Sequence, residues 1–116
     1  MALHNVRGRA GETLAMAYLE LVGCRIQERN PRIGGVEVDA LVKEGPDTVL
    51  VEVKVRSRSD YGGAAAALDA GKRARLLRAA SALIGRGLER VRIDVVTIDL
   101  TEEGAAVRHY RSAVSG

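Results

Sequence analysis

The sequence predicts an α/β fold of order α-β-β-β-α-β-β, a mixed sheet with helices packed on it. Three observations carry that prediction. Apolar residues recur at helical spacing near the N-terminus and again up to about residue 84. Residues 36–42 and 49–56 alternate apolar and polar side chains on either side of a tight turn. Residues 91–100 form a strongly β-branched run.

Residues 7–22 are expected to form the first helix. Leu14, Ala17, Tyr18, Leu21 and Val22 make one apolar stripe. Ala15, Met16 and Leu19 make a second on the opposite side, so the helix should be nearly buried all round. Gly23 stops it. Residues 24–30 read as a short strand, with Cys24, Ile26 and Glu28 alternating against Arg25, Gln27 and Arg29. Residues 31–35 read as a turn. In the next strand Val36, Val38 and Ala40 share one face, and Glu37, Asp39 and Leu41 the other. Its partner sends Val49, Val51, Val53 and Val55 one way and Leu50, Glu52, Lys54 and Arg56 the other. Between them Gly45-Pro46-Asp47-Thr48 is a turn with proline at a favoured position.

Residues 57–63 are polar and glycine-bearing, as in a mobile loop. A helix then begins near Ala64 or Leu68 and runs to Ile84. Leu76, Leu77, Ala80, Leu83 and Ile84 form its buried face, Arg75 and Arg78 lie opposite, and Lys72 sits near the edge. Gly85 and Gly87 end it. The strand at 91–100 is followed by a turn at 101–104 and a last strand or edge at 105–110. Residues 112–116 are expected to fray.

A chain of 116 residues has room for one domain, expected to span 1–116. Its composition, 47% hydrophobic and 28% charged, is that of a globular protein and argues against disorder or a collagen-like repeat. No stretch approaches the ~18 consecutive apolar residues of a membrane span. Residues 1–5 lack the plan of a signal peptide. Cys24 is the only cysteine, which excludes disulfide scaffolds and points to a reduced, cytoplasmic protein. The net charge is only +3, but it is unevenly spread. From Lys54 to Arg92 ten basic residues face only Asp60, Asp69 and Glu89, while the remainder is acidic. A basic segment beside an acidic one can place a polyanion next to carboxylates. With no Trp or Phe and three Tyr, an aromatic base-stacking platform is not expected.

Parity then locates the chemistry. If the hairpin loop has two residues, Asp39 lies opposite Glu52; if it has four, opposite Lys54. A three-residue loop without a bulge would set the Asp39 face against the valines, which the apolar pattern forbids. Either allowed register gathers Asp39, Glu52 and Lys54 on one face of adjacent strands. Carboxylates so placed repel unless something cationic joins them, and oxygen ligands of this kind suit Mg²⁺ or Mn²⁺. Lys54, two residues beyond Glu52, could hold an attacking water or stabilise phosphorane charge. Fifteen of the eighteen basic residues are Arg, so a lysine here carries information: its ammonium is a compact charge whose pKa can be shifted.

Taken together, the motifs are similar to those of the bacterial endonuclease-like YraN family. That family is related to archaeal Holliday-junction resolvases and the wider PD-(D/E)xK nucleases. The residues that carry the resemblance are Gly8-x-x-Gly11-Glu12, Arg29-Asn30, Gly35-Val36-Glu37-Val38-Asp39, Leu50-Val51-Glu52-Val53-Lys54-Val55-Arg56, Gly62, Lys72, Arg92-Ile93-Asp94-Val95-Val96 and His109. The chain departs from the family by one extra residue between Gly35 and Asp39 and by Leu50 where an aromatic is usual; neither touches the carboxylate set.

The resemblance implies a restriction-endonuclease-like α-β-β-β-α-β core, a mixed sheet flanked by helices, and metal-dependent cleavage of DNA, with branched or junction DNA among the candidate substrates. It implies that Asp39 and Glu52 bind Mg²⁺ or Mn²⁺ with the Val53 carbonyl as a third ligand. It implies that Lys54 positions the water and that Glu12 supports the metal or the water. Without it, Glu12 in a first helical turn reads as a residue that compensates the helix dipole. Arg56, Lys72 and Arg75 are the candidates for phosphate contacts, which position DNA without reading sequence. Glu37 shares the Asp39 face but could equally be a surface residue. His4, His109 and Cys24 show no ligand pairing, and Asp94 and Asp99 read as structural. Two other functions fit the same residues: a nucleic-acid-binding accessory module without catalysis, and a small interaction protein whose carboxylates are incidental. Junction resolution needs two cuts, which a homodimer would supply, yet no segment declares itself an interface.

Overall fold

The computed structural model describes residues 3–57 and 67–115, with side chains from Gly8 onward. Helix α1 (Leu3–Leu21) leads into β1 (Arg25–Arg29), β2 (Arg32–Ile33), β3 (Val36–Glu37), β4 (Ala40–Glu44) and β5 (Asp47–Arg56). Helix α2 (Ala70–Gly85) and the strands β6 (Val91–Thr101) and β7 (Gly104–Val114) follow. Five strands make one sheet in the order β1-β4-β5-β6-β7, and β2 and β3 form a separate pair. Only β5 and β6 run parallel within the large sheet. A parallel neighbour demands a crossover, and α2 lies within it.

The two helices cover opposite faces. Against α1 pack Ala40, Val42, Val49, Val51, Val53, Val96 and Ile98. Against α2 pack Leu50, Ile93 and Val95, with Ile33, Val36 and Val38 beside them. The even-numbered residues of β5 therefore face α2, and its valines face α1.

The β4–β5 hairpin pairs Glu44 with Asp47, leaving Gly45 and Pro46 as a two-residue loop. Gly45 takes φ +56°, which suits the first position of a II′ turn, where glycine is required. Of the two allowed registers, this is the one that sets Asp39 level with Glu52. Helix α2 starts where Asp69 accepts the Lys72 N–H at 2.7 Å, and Gly87 at φ +98° lies beyond its end. It buries Leu76, Ala79, Ala80 and Leu83. Ile84, expected in that face, is exposed.

Three expectations need correction. Helix α1 is buried on one side only: Ala15, Met16 and Leu19 reach the core, while Leu14 and Leu21 are 40% and 86% exposed. A single sheet face can cover only one stripe of a helix, and nothing among the described residues covers the other. The strand expected at 36–42 is interrupted at Val38 and Asp39. Val36 and Val38 pack beneath α2, but Ala40 and Val42 pack beneath α1, so the faces exchange across the break. The tail does not fray at 112: β7 runs to Val114, which pairs with Ile93 and is buried. The loop expected at 57–63 and the helix start near Ala64 lie almost wholly outside the described residues.

Among the described residues no helix is long and apolar enough to cross a membrane.

Candidate functional site

The chain bends at Asp39 just before β4 begins, and this bend turns the carboxylate onto the end of β5. Asp39 Oδ2 accepts the Val53 N–H at 2.7 Å, in the place where a longer β4 would have offered a backbone carbonyl. Its carboxyl group lies beside that of Glu52, the residue level with it in the register, close enough for the two to interact electrostatically. Glu52 is 3% exposed. The N–H and C=O of one strand residue point to the same side, so the Val53 carbonyl opens toward the same edge as Asp39.

Two carboxyl groups in contact in a buried place cannot both ionise freely. Burial, reinforced by the charge of Glu52, pushes Asp39 from its ordinary 3.8 up to about 7, against the opposing pull of the Val53 N–H and Lys72. Glu52 Oε2 lies 2.9 Å from Lys72 Nζ. Its other oxygen, Oε1, is buried and has no hydrogen-bond partner among the described residues. Thr97 Oγ1, on the same face of β6 and level with Lys54, is likewise buried and unbonded. Orphaned buried oxygens are costly, and a cation with its waters would satisfy them. Two carboxylates and a carbonyl form an all-oxygen set that fits Mg²⁺ or Mn²⁺, ions that keep several waters beside one or two protein carboxylates. Among the described residues no third Asp, Glu, His or Cys joins the pair in a ligand group.

The remaining predicted residues divide into those near this pair and those away from it. Lys54 shares the face, is half-buried and makes no ion pair among the described residues. Lys72 comes down from the first turn of α2 onto Glu52. Arg75, one turn further along α2, is exposed. Glu12 does not reach the carboxylate pair directly; α1 lies on the opposite face, and Glu12 Oε1 accepts from Asn30 Nδ2 at 3.1 Å. Asn30 in turn donates its backbone N–H to the Asp39 carbonyl at 2.9 Å, so one residue links Glu12 to the site. Glu37 lies in β3, on the small separate sheet, and is exposed.

Arg56 needs correction. It is 8% exposed, and its guanidinium donates to both oxygens of Asp99 at 2.8 and 3.2 Å. Asp99 is its direct neighbour in the parallel β5–β6 register, and Arg108 reaches the same carboxylate. Its bonds with these groups hold Asp99 below the usual carboxylate range, Arg56 first among them. A guanidinium so engaged in the interior is not placed to meet a DNA phosphate.

Sequence reasoning also missed a buried polar network under α1. Asp94 Oδ2 lies 2.7 Å from His109 Nε2, and His109 Nδ1 lies 3.0 Å from the Tyr18 hydroxyl. An ionised carboxylate only accepts, so Nε2–H donates to Asp94, and the Nδ1 of a neutral ring then accepts from Tyr18. Asp94 also accepts from Arg92 and from the Ser112 N–H, and Arg92 continues to Glu44 and Asp47. Burial raises Asp94, but these three bonds outweigh it and hold the acid below its ordinary value. The network ties α1, β6 and β7 together on the face away from Glu52. No local pattern could have found it, because its members are up to 91 residues apart.

Fold and site together define a mixed α/β protein whose five-stranded mixed sheet is flanked by helices and carries a buried carboxylate pair, Asp39 and Glu52, where the chain enters β4 beside β5. The sequence model of the uncharacterised protein family UPF0102 matches residues 11–98. The chain is 45% identical to a UPF0102 protein of Dechloromonas aromatica (strain RCB) over 108 residues, which cover 92% of this chain and 89% of that one. It is 46% identical to a UPF0102 protein of Halorhodospira halophila over 93 residues, covering 80% and 77% of the two chains. The protein belongs to the UPF0102 family, the YraN family that its motifs resemble. In fold it is similar to Pyrococcus furiosus SfsA, solved in complex with Ca²⁺, at a TM-score of 0.50 and 17% identity. That match covers 97% of this chain but only 65% of the SfsA chain.

Proposed function

We propose that this protein is a divalent-metal-dependent endonuclease that hydrolyses phosphodiester bonds in DNA, with branched or junction DNA as its substrate class. The observation that carries the reading is the Asp39–Glu52 pair, with Glu52 Oε1 buried and unbonded among the described residues and Lys54 on the same face. The Ca²⁺ complex of the fold neighbour SfsA agrees with a cation-binding use of this fold.

Asp39, Glu52 and the Val53 carbonyl would hold Mg²⁺ or Mn²⁺. When bound, such a cation lowers the pKa of a water and neutralises charge on the scissile phosphate. The protein's own contribution is positional. The Val53 N–H holds Asp39 in place, so the carboxylate needs no rearrangement to meet a ligand. Lys54 orients the attacking water and stabilises charge on the phosphorane as the P–O bond to the leaving oxygen breaks. Glu12 acts at one remove, fixing Asn30 and through it the backbone at Asp39. Arg75 contacts phosphates on the exposed face of α2. Two copies of the chain would be needed to cut both strands of a junction.

A second reading, a nucleic-acid-binding module without catalysis, is favoured by the lack of a third acidic or histidine ligand beside the pair among the described residues. Labelled linear, single-stranded, flap and four-way-junction DNA, incubated with Mg²⁺, Mn²⁺ or chelator, separates the two. Cutting that requires metal and is lost in Asp39→Asn supports the nuclease. Salt-sensitive binding without cutting supports the module.

A further inference from the structure

We propose that Lys72 is a built-in counter-ion that holds the metal-free carboxylate pair and yields Glu52 to an incoming divalent cation, its freed ammonium then meeting the substrate phosphate. This rests on the nuclease reading of the same site.

Four observations support it. Lys72 Nζ is 2.9 Å from Glu52 Oε2, so the ammonium already occupies the neighbourhood a cation would take. The two partners differ in freedom: the Lys72 side chain is 26% exposed and Glu52 only 3%. The lysine can swing to water, while the carboxylate must stay. The backbone of Lys72 is fixed by its N–H bond to Asp69, which leaves the four-carbon stem as the moving part. Finally, a cation in the first turn of a helix opposes the helix dipole, and at this end it is the N-cap Asp69, not Lys72, that favours the helix. The helix gains nothing from Lys72, so its position answers to the sheet below.

The residue type fits the role. Only Lys43, Lys54 and Lys72 are lysines in a chain of fifteen arginines, and two of the three border the carboxylates. An ammonium is a point charge that another cation can replace, whereas a guanidinium fork would grip both oxygens of Glu52. Arg75 lies one turn along α2, so a released Lys72 would extend a basic row toward the site.

The test is calorimetric titration of Mn²⁺ and Mg²⁺ into wild type, Lys72→Met and Lys72→Arg near pH 8, with thermal melts of the metal-free proteins. The expected order of affinity is Met above Lys above Arg, with Lys72→Met binding about tenfold tighter than wild type. Metal-free Lys72→Met should melt lower than wild type and recover when metal is added. Despite tighter binding, it should cleave DNA more slowly at saturating metal. Equal metal affinity in all three proteins overturns the counter-ion role and leaves the nuclease reading standing. Wild type that binds no divalent cation overturns both. If Lys72→Met does not fold, the ¹³Cε resonance of Lys72 in wild type serves instead. It should shift in step with metal saturation, and a resonance that stays put overturns the proposal.

Discussion

Asp39 Oδ2 accepts the Val53 N–H at 2.7 Å, so a side chain completes the hydrogen bonding of β5 where β4 has not yet begun. This one bond explains why the strand break falls where it does. It lets the chain turn from the small β2–β3 pair into the sheet while bringing a carboxylate level with Glu52.

The same relationship sets a pH dependence. Asp39 titrates near 7 in the folded protein against 3.8 ordinarily, so between those values the folded state holds a proton that the unfolded chain releases. Its contribution is fully present below pH 3.8 and is lost as pH rises through about 7. The loss amounts to at most about 4 kcal/mol. Metal-free stability, followed by urea denaturation, should therefore fall across this window. Asp39→Asn should flatten that fall, and Mg²⁺ should stabilise wild type more at pH 8 than at pH 5. An unchanged slope in Asp39→Asn would count against Asp39 as the group that titrates across this window.

Arg56 and Arg75 should separate stability from binding. Arg56→Ala leaves Asp99 buried with only Arg108, and should cost about 2–3 kcal/mol in a denaturant melt. Arg75→Ala should leave the melt within about 0.5 kcal/mol of wild type. It should instead lower the slope of log K against log salt for DNA by about one. The reverse assignment would show that Arg56, not Arg75, reaches the phosphates.

Gly11 of α1 packs directly against Val55 of β5. A Cβ built there would lie 2.2 Å from Val55 Cγ2. Valine is stiff at χ1 and cannot swing its methyl clear without strain. Gly11→Ala should destabilise by about 1–3 kcal/mol despite alanine's better helix propensity. Combining it with Val55→Ala should recover part of that loss, a coupling that thermal melts of the double-mutant set would measure.

Much of this architecture was legible in the residues, and the limits have physical causes. Parity narrowed the β4–β5 hairpin to two registers, both of which put Asp39, Glu52 and Lys54 on one face, and the two-residue loop Gly45–Pro46 chooses between them. The break at Asp39 was hidden because Val36, Val38 and Ala40 keep the same alternation across it, although they enter different cores. Periodicity also showed two apolar stripes on α1 without showing that only one has a sheet to meet. Asp39, Glu52 and Lys54 could be brought together on paper, since they lie on neighbouring strands of one hairpin. Lys72 on Glu52 and Arg56 on Asp99 could not. The first depends on how α2 docks, the second on a parallel register between strands 43 residues apart.

The most direct test of the nuclease reading is single-turnover cleavage of the preferred DNA by wild type and Glu52→Gln in Mg²⁺, with a chelator control. Glu52→Gln keeps the shape of the side chain and removes the charge that would hold the cation, so its fold should persist while its rate falls by at least about 100-fold. Wild-type cutting that chelator abolishes and Glu52→Gln lacks is the predicted result. A Glu52→Gln protein that cuts as fast as wild type, or a wild type that cuts nothing with Mg²⁺ or Mn²⁺, would contradict it.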